Sequence, residues 1–201
     1  MTHHSLDLTA FRFENDSPAA AHEPADLIGL ENGPALWSAL LARMPTGSVV
    51  AGGAVRDYLL GQPPKDIDIF FDVQMHSSKE DWSGFGPLGL DKAAEYDAMN
   101  SIAVVQRATF NGLQVDAIGL CLEAGPVTGE RVVATFDFGL TRCWYDGEIH
   151  DTPEAKADRE GKTVTLLLHD RPARAADRFV RFNTRMGGEW TFVSTKPEPL
   201  A

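Results

Sequence analysis

The stretch VVAGGAVRDYLLGQPPKDIDIFFDV, from Val49 to Val73, decides the fold of this chain. It predicts a short strand that ends in two glycines, a helix closed by Gly61, a loop and a second strand. Acidic residues alternate with apolar ones in the second strand, so Asp66 and Asp68 share one face. Two adjacent buried carboxylates repel each other, and a divalent cation bound by oxygen ligands would relieve that repulsion. The alternative is an edge strand whose acidic face is solvated.

The two glycines, Gly52 and Gly53, stand where the first strand passes into the helix. A glycine turn lets backbone N–H groups approach an anion, and the helix N-terminus adds a partial positive charge. Arg56, on the first helical turn, is placed to reach the same anion. The alternatives are a plain tight turn and an ion pair of Arg56 with Asp57 or Asp66. Taken with the acidic strand, the spacing favours a triphosphate cradle followed by a metal-binding strand.

A hairpin further along the chain supplies a candidate third carboxylate. Residues 101–120 carry Asn111-Gly112 between two strand patterns, and this dipeptide favours the turn that matches strand twist. Asp116 interrupts the apolar second strand, where a buried carboxylate needs a partner. If this strand lies beside the first acidic strand, three carboxylates converge. The competing candidates are Asp72 and Asp97.

The remaining pattern mixes helices and strands, which predicts an α+β domain around a small mixed sheet. Helical patterns cover residues 34–44, 91–99, 153–161 and 171–188. A strand pattern opens the segment 131–147, and another covers 162–170. Residues 76–89 read as a loop, in which Trp82 or Phe85 either stacks on a substrate base or packs onto its own domain.

The helix at 171–188 carries an arginine stripe. Its arginines are spaced 3, 4, 3 and 4 residues apart, which places them on one helical face: Arg171, Arg174, Arg178, Arg181 and Arg185. Like charges on one face need something negative opposite them. A triphosphate, an RNA backbone and the acidic residues of the chain itself are the alternatives. We expect Arg178 and Arg181 to face the nucleotide site.

Composition narrows the class of protein. The 201 residues are 43% hydrophobic, which is enough for a core, and the net charge of −11 argues against a protein that coats nucleic acid. No apolar run is long enough to cross a bilayer and no signal peptide is visible, so we expect a cytoplasmic protein without membrane contact. Cys121 and Cys143 form neither a disulfide framework nor a zinc pattern, which predicts reduced thiols.

The pattern GGAVRDYLLG….KDIDIFFDV closely resembles the head-domain signature of class II CCA-adding enzymes and bacterial poly(A) polymerases, in the polymerase-β-like nucleotidyltransferase superfamily. The resemblance implies a small mixed β-sheet palm of nucleotidyltransferase type flanked by helices. It implies Mg²⁺, with Mn²⁺ as an alternative, bound by Asp66, Asp68 and Asp116. It further implies an NTP substrate whose phosphates are held near Gly52, Gly53 and Arg56. The other predicted nucleotide-binding residues are Asp57, Lys65, Arg178 and Arg181.

The resemblance weakens after the hairpin. The family's segment R-R-D-F-T-I-N matches at Asp137 and Phe138, but its two arginines are here Thr135 and Phe136, and its Asn is Thr141. The arginine helix matches the end of the family's head, whereas the base-selecting E-D-x-x-R motif is missing before it. These departures leave sugar recognition and base preference open.

The expected organisation is an N-terminal arm at 1–30, a nucleotidyltransferase head-like domain at 31–190 and a C-terminal tail at 191–201, with no counterpart of the family's tRNA-binding body. The predicted activity is metal-dependent transfer of a nucleoside monophosphate to an acceptor hydroxyl. The acceptor is an RNA 3′ end, a small molecule or a protein. The alternatives are a catalytically silent nucleotide-binding or protein-interaction module and a purely structural domain.

Overall fold

The structure is a computed structural model. It describes residues 31–73, 86–87, 102–110, 112–122, 125–168 and 172–195. The helices in these ranges are α1 (Pro34–Leu41), α2 (Gly53–Leu59), α3 (Gly129–Ala134), α4 (Pro153–Gly161) and α5 (Pro172–Arg185), with a short 3₁₀ turn at Gly139–Thr141. The strands are β1 (Val49–Ala51), β2 (Asp66–Asp72), β3 (Gly86–Pro87), β4 (Ile102–Phe110), β5 (Leu113–Leu120), β6 (Cys143–Tyr145), β7 (Ile149–Asp151), β8 (Thr163–Leu166) and β9 (Thr191–Ser194).

The main sheet has the strand order β3-β4-β5-β2-β1-β6-β7 in the described ranges. Strand β2 lies at its centre, antiparallel to β1 and parallel to β5, and the other pairs are antiparallel. The sheet is therefore mixed. Its parallel pair brings the two acidic strands side by side.

Both faces of β2 pack against apolar residues. Ile67, Ile69 and Phe71 are fully buried on one face, beneath α1 and α2. Phe70 on the opposite face joins a second apolar cluster, which α3 covers. This sandwiching explains why the strand is mostly apolar. The acidic residues near its beginning share the α3 face with Phe70.

A third apolar cluster joins α5 to the two-stranded parallel sheet of β8 and β9. Trp190 packs against Phe182 with ring centroids 5.1 Å apart, and Ala175 of α5 is 1% exposed. The cluster also contains Phe138 and Leu140 from the segment after α3. It therefore fixes α5 beside the main sheet.

The α+β class and the mixed sheet flanked by helices are confirmed by this architecture. The predicted helices at α1, α2, α4 and α5 are present, and so are the hairpin strands β4 and β5. The strand of the Val49 stretch is present as β1, and Gly61 follows α2 with the positive φ of 66° that favours glycine.

Several predictions differ from the structure. The segment 131–147 opens with helix α3 rather than a strand, because Thr128 caps it and accepts a hydrogen bond from the Arg131 N–H. Strands β6, β7 and β9 were not predicted, and β9 begins the segment expected as a tail. The helix at 91–99 lies outside the described residues, as do Trp82 and Phe85. Neither cysteine is in a disulfide; Cys143 is buried and Cys121 is half-buried.

Candidate active site

The acidic face of β2 begins with Asp66 and Asp68. The carboxyl of Asp68 sits beside two other carboxyls, because Asp116 of β5 is its direct partner in the parallel pair. The pKa of Asp68 is raised from 3.8 to about 7, mainly by burial and further by the charges of Asp66 and Asp116. Negative charge is thus concentrated at this end of the sheet.

Asp116 is 2% exposed, and its carboxylate is engaged by neighbouring side chains. Arg107, its direct partner on β4, donates to both carboxylate oxygens through Nε and Nη2. Gln114 Nε2 also donates to Oδ2 over 3.2 Å. A buried carboxylate with a two-pronged arginine partner is well satisfied.

The convergence of three carboxylates on a cation stays a prediction. The register places Asp116 beside Asp68, but the described ranges contain no group of three or more His, Cys, Asp or Glu residues arranged to hold a metal ion. In this arrangement the carboxylate of Asp116 is bound by Arg107.

Asp66 and Asp68 fit a divalent cation better than Asp116 does. Their side chains point to one face of the same strand, and burial, together with the charges of Asp66 and Asp116, raises the pKa of Asp68. Mg²⁺ prefers oxygen ligands and is commonly held by one or two carboxylates together with substrate phosphates. Two carboxylates are therefore a sufficient protein contribution.

Of the two competing acids, Asp72 lies within the described residues. Asp72 lies on the same face of β2, but its Oδ2 accepts a hydrogen bond from the Val127 N–H over 3.1 Å. It thereby ties the loop before α3 to the sheet. Asp97 lies outside the described residues.

The glycine turn lies next to the acidic residues. Ala51 pairs with Asp68, so Gly52 and Gly53 continue the strand alongside the beginning of β2. Gly52 has φ 79°, and a Cβ there would lie 3.1 Å from the Phe136 ring. Its N–H donates to the Cys143 carbonyl, so this amide already has a partner. Glycine is required at this position for both its conformation and its close packing.

Arg56 and Asp57 are engaged in an internal ion pair, which was the alternative to a phosphate contact. Arg56 Nη2 lies 2.7 Å from Asp57 Oδ1, and its guanidinium stacks 4.9 Å above the Phe182 ring. Asp57 is 1% exposed and also binds Arg185 Nη2 at 2.8 and 2.9 Å. The carboxylate of Asp57 is thus buried between two arginines, and its contact with a nucleotide stays a prediction.

Lys65 and the two predicted arginines of α5 are more accessible. Lys65 is 85% exposed, and its Nζ lies 3.8 Å from Asp66 Oδ2. Arg178 binds both oxygens of Asp137 at 3.0 Å, yet its charge still lowers the pKa of Asp68. Arg181 is exposed on the same helix.

A cavity of about 40 Å³ lies between α2, α5 and β8. Its lining combines two guanidinium groups with apolar side chains: Arg56, Arg178, Phe138, Leu140, Thr141, Val164, Phe179 and Phe182. Ligand pockets are usually several hundred Å³, so this cavity is too small for a nucleotide.

Two residues that lie near the acidic residues, Arg107 and Phe136, were not predicted from the sequence. Arg107 could have been found, because a two-residue turn at 111–112 pairs 110 with 113 and hence 107 with 116. Phe136 packs on the glycine turn and on Phe70, with ring centroids 5.7 Å apart. Its position beside Gly52 depends on the path of the chain after α3, for which the sequence carries no signal.

Comparisons with known proteins agree with this geometry. Residues 48–84 match the family model described as "Poly A polymerase head domain". The fold is similar to a CCA-adding enzyme in its apo form I, with TM-score 0.52 and 21% identity over 74% of this chain and 36% of that one. No curated protein sequence matches the chain.

Two further structures have similar folds. The Bacillus stearothermophilus CCA-adding enzyme in complex with CTP gives TM-score 0.53 and 17% identity, over 80% of this chain and 41% of that one. The Thermotoga maritima CCA-adding enzyme complexed with tRNA gives TM-score 0.50 and 19% identity, over 86% of this chain and 43% of that one. The chain thus spans about two fifths of each matched chain. The predicted resemblance is confirmed, and the chain has the nucleotidyltransferase-type fold of these enzymes.

One structural finding bears on membranes. In the described part of the chain, no helix has both the length and the apolar character needed to span a bilayer.

Proposed function

We propose that the protein is a divalent-cation-dependent nucleotidyltransferase, which moves a nucleoside monophosphate from an NTP to an acceptor hydroxyl and releases pyrophosphate. One observation carries the proposal. Asp66 and Asp68 share a face of β2, beside Asp116, in a sheet with the fold of CCA-adding enzymes. Burial and the charges of Asp66 and Asp116 raise the pKa of Asp68, and a bound divalent cation would offset the cost of ionising this carboxyl.

Asp66 and Asp68 would hold Mg²⁺ or Mn²⁺. When bound, such a cation offsets the charge of the phosphates and lowers the pKa of a coordinated hydroxyl. Asp116 is the third acid in this proposal, once its carboxylate is released by Arg107. The Gly52–Gly53 turn would let the nucleotide phosphates approach the beginning of α2 closely.

Lys65 and Arg181 would supply mobile positive charge at the edge of the site, since both are exposed. Arg178 would contribute through its charge, which already acts on Asp68. The matched enzymes include a complex with CTP and a complex with tRNA, so we extend nucleotide binding to this chain. The acceptor is an RNA 3′ end, a small molecule or a protein hydroxyl.

A second candidate function is a nucleotide-binding module that transfers nothing. The observation in its favour is that four predicted site residues take part in three internal ion pairs: Asp116 with Arg107, Arg56 with Asp57, and Arg178 with Asp137. Such a module would keep the glycine turn and the two acids of β2. It would lack the third carboxylate.

Transfer assays separate these candidates. Each of four α-labelled NTPs is incubated with the protein and mixed cellular RNA or protein, in Mg²⁺ and then in Mn²⁺. The Asp66→Ala/Asp68→Ala protein is the negative control. Asp72→Asn is the matched control on the same strand face, because its amide oxygen can still accept from the Val127 N–H.

We expect label transfer by the parent and by Asp72→Asn, and none by the double variant. The labelled fraction then identifies the acceptor class. NTP binding without transfer would support the silent module. If the parent neither binds NTP nor transfers label, the assignment of Asp66 and Asp68 as metal ligands is wrong.

A further inference from the structure

The pair Arg107–Asp116 occupies the position where a third metal ligand is expected. Arg107 Nε and Nη2 approach Asp116 Oδ1 and Oδ2 respectively, and Gln114 adds a third donor at Oδ2. Three of the roughly four lone-pair positions of the carboxylate are therefore filled. The carboxylate lies beside Asp68 on the neighbouring strand.

A guanidinium and a divalent cation cannot easily share this carboxylate. A cation at coordination distance from Asp116 would lie within a few ångströms of the guanidinium carbon. Two positive charges at that separation repel strongly in a partly buried site. Binding of either one therefore weakens binding of the other.

Exposure determines which partner moves. The side chain of Asp116 is 2% exposed and is fixed on a central strand, whereas that of Arg107 is 20% exposed. Arg107 also has a long flexible stem, on a strand nearer the edge of the sheet. Its guanidinium can turn toward solvent while the carboxylate stays beside Asp68.

We propose that Arg107 and a divalent cation compete for Asp116, so that Asp116 joins Asp66 and Asp68 as a ligand only after Arg107 has released it. The inference rests on the proposed function, since it takes Asp66 and Asp68 as cation ligands. Arg107 is a positioning residue in this scheme. It holds Asp116 in place and sets the concentration of cation at which the third ligand becomes available.

The chain offers a matched pair for comparison. Arg159 also binds both carboxylate oxygens of its partner, Asp151, but through Nη1 and Nη2, at the β7 edge of the sheet. Their side chains are 25% and 21% exposed. A change at Arg159 removes an equivalent ion pair away from the acidic residues of β2. It therefore controls for general loss of stability.

The test is a titration with Mn²⁺, followed by electron paramagnetic resonance, on the full chain without nucleotide. We expect Arg107→Gln to tighten Mn²⁺ binding about tenfold, at the lower end of what outer-shell changes produce. Asp116→Asn alone should change the affinity less than twofold, because what Asp116 contributes as a ligand is offset by the cost of displacing Arg107. It should abolish the tightening when combined with Arg107→Gln. Arg159→Gln should match the parent.

Two measurements keep the test decisive if Arg107→Gln fails to fold. Arg107→Lys retains the charge without the fork and should tighten Mn²⁺ binding by a smaller factor. In the parent, the ¹⁵N-arginine Nε–H signal of Arg107 should shift and exchange faster on saturation with Mg²⁺. The Arg159 signal should not change.

Three outcomes would overturn the proposal. Unchanged or weaker Mn²⁺ binding in the Arg107 variants would show that Arg107 and the cation do not compete for Asp116. A tenfold loss in Asp116→Asn alone would make Asp116 a ligand already, and an unmoved Arg107 signal in Mg²⁺ would mean that the pair persists. Failure of the proposed function looks different: Asp66→Asn/Asp68→Asn would then bind Mn²⁺ as the parent does, and this proposal would fall with it.

Discussion

The acidic end of β2 and the arginine face of α5 are both concentrations of like charge, but they differ in the charges that surround them. At β2 the charges that act most strongly on Asp68 are those of two other carboxylates. On α5, Arg178 and Arg185 each contact an aspartate, Asp137 and Asp57. The sequence predicts both regions as parts of one nucleotide site.

The difference separates charge that stabilises the fold from charge that is available to a ligand. The paired arginines attach α5 to α2 and to the segment after α3, so their removal should cost stability. The carboxylates of β2 oppose one another, so their removal should cost function and improve stability. Substitutions in the two regions should therefore change the free energy of unfolding in opposite directions.

The largest effect on stability is expected at Asp57. Asp57→Asn leaves Arg56 and Arg185 without their shared carboxylate, and breaking a buried pair costs roughly 3–5 kcal/mol in the free energy of unfolding. Arg185 is more than a third exposed, so the lower end of that range applies. Urea denaturation would measure the loss. The control is Asp146→Asn, whose exposed pair with His150 should contribute little; an equal loss in both variants would contradict the contrast.

A smaller effect of opposite sign is expected at Asp68. The folded protein holds the pKa of this carboxyl near 7, against 3.8 for the ordinary group. Between about pH 4 and pH 7 the unfolded chain therefore releases a proton that the folded chain keeps. The contribution of Asp68 to stability falls as the pH rises through this range, and then stays constant above it.

Asp68→Asn removes that dependence. The variant should match the parent near pH 4 and be more stable at pH 8, by about 2 kcal/mol after allowance for solvent screening of a half-buried group. Denaturation at a series of pH values would measure the difference. Mg²⁺ added at pH 8 should stabilise the parent more than the variant, and a variant less stable than the parent at pH 8 would refute the repulsion.

The glycine turn beside the acidic end provides an intermediate effect. Gly52→Ala meets both a positive φ and the Phe136 ring, so we expect a loss of about 1–3 kcal/mol. Gly47→Ala is the matched control, since Gly47 has φ 87° but a Cβ there would contact nothing within 4 Å. The difference between the two losses in thermal unfolding measures the contact with Phe136. Equal losses would show that the turn is strained but not packed.

The smallest effect is expected at Arg181. Its side chain is exposed on α5, so Arg181→Gln should change the free energy of unfolding by less than about 0.5 kcal/mol. If Arg181 contacts the nucleotide, the variant should bind NTP more weakly and with less salt dependence. Calorimetric titration at two salt concentrations would measure this. Unchanged NTP binding would assign Arg181 to the solvated face of the helix.

The sequence predicted the elements whose periodicity is long and regular. Strand β2 alternates over seven residues, and α5 shows two adjacent stripes over fourteen. Strands β6 and β7 have three residues each, which is too short for a period to be recognised. Helix α3 was mistaken for a strand because Val132 and Val133 are β-branched, whereas its cap and its packing decide otherwise.

Packing also explains what was missed in the candidate site. A Cβ on Gly129 would lie 2.1 Å from the Trp144 ring, so α3 can approach the sheet only because this residue is glycine. The pairing of Arg56 with Asp57 was foreseen as an alternative, but Arg185 joins them from a helix distant in sequence. Local spacing identifies charged residues; their partners depend on tertiary contacts.

The order of the strands has a consequence for how the chain folds. Arg107 and Asp116 are nine residues apart in one hairpin, and hairpins form within about 1–10 μs. The parallel pairing of β2 with β5 joins distant segments and must form later, because closing a long loop costs entropy before the contacts repay it. Asp116 should therefore meet Arg107 before it meets Asp68, and the growing chain would bury this carboxylate already neutralised.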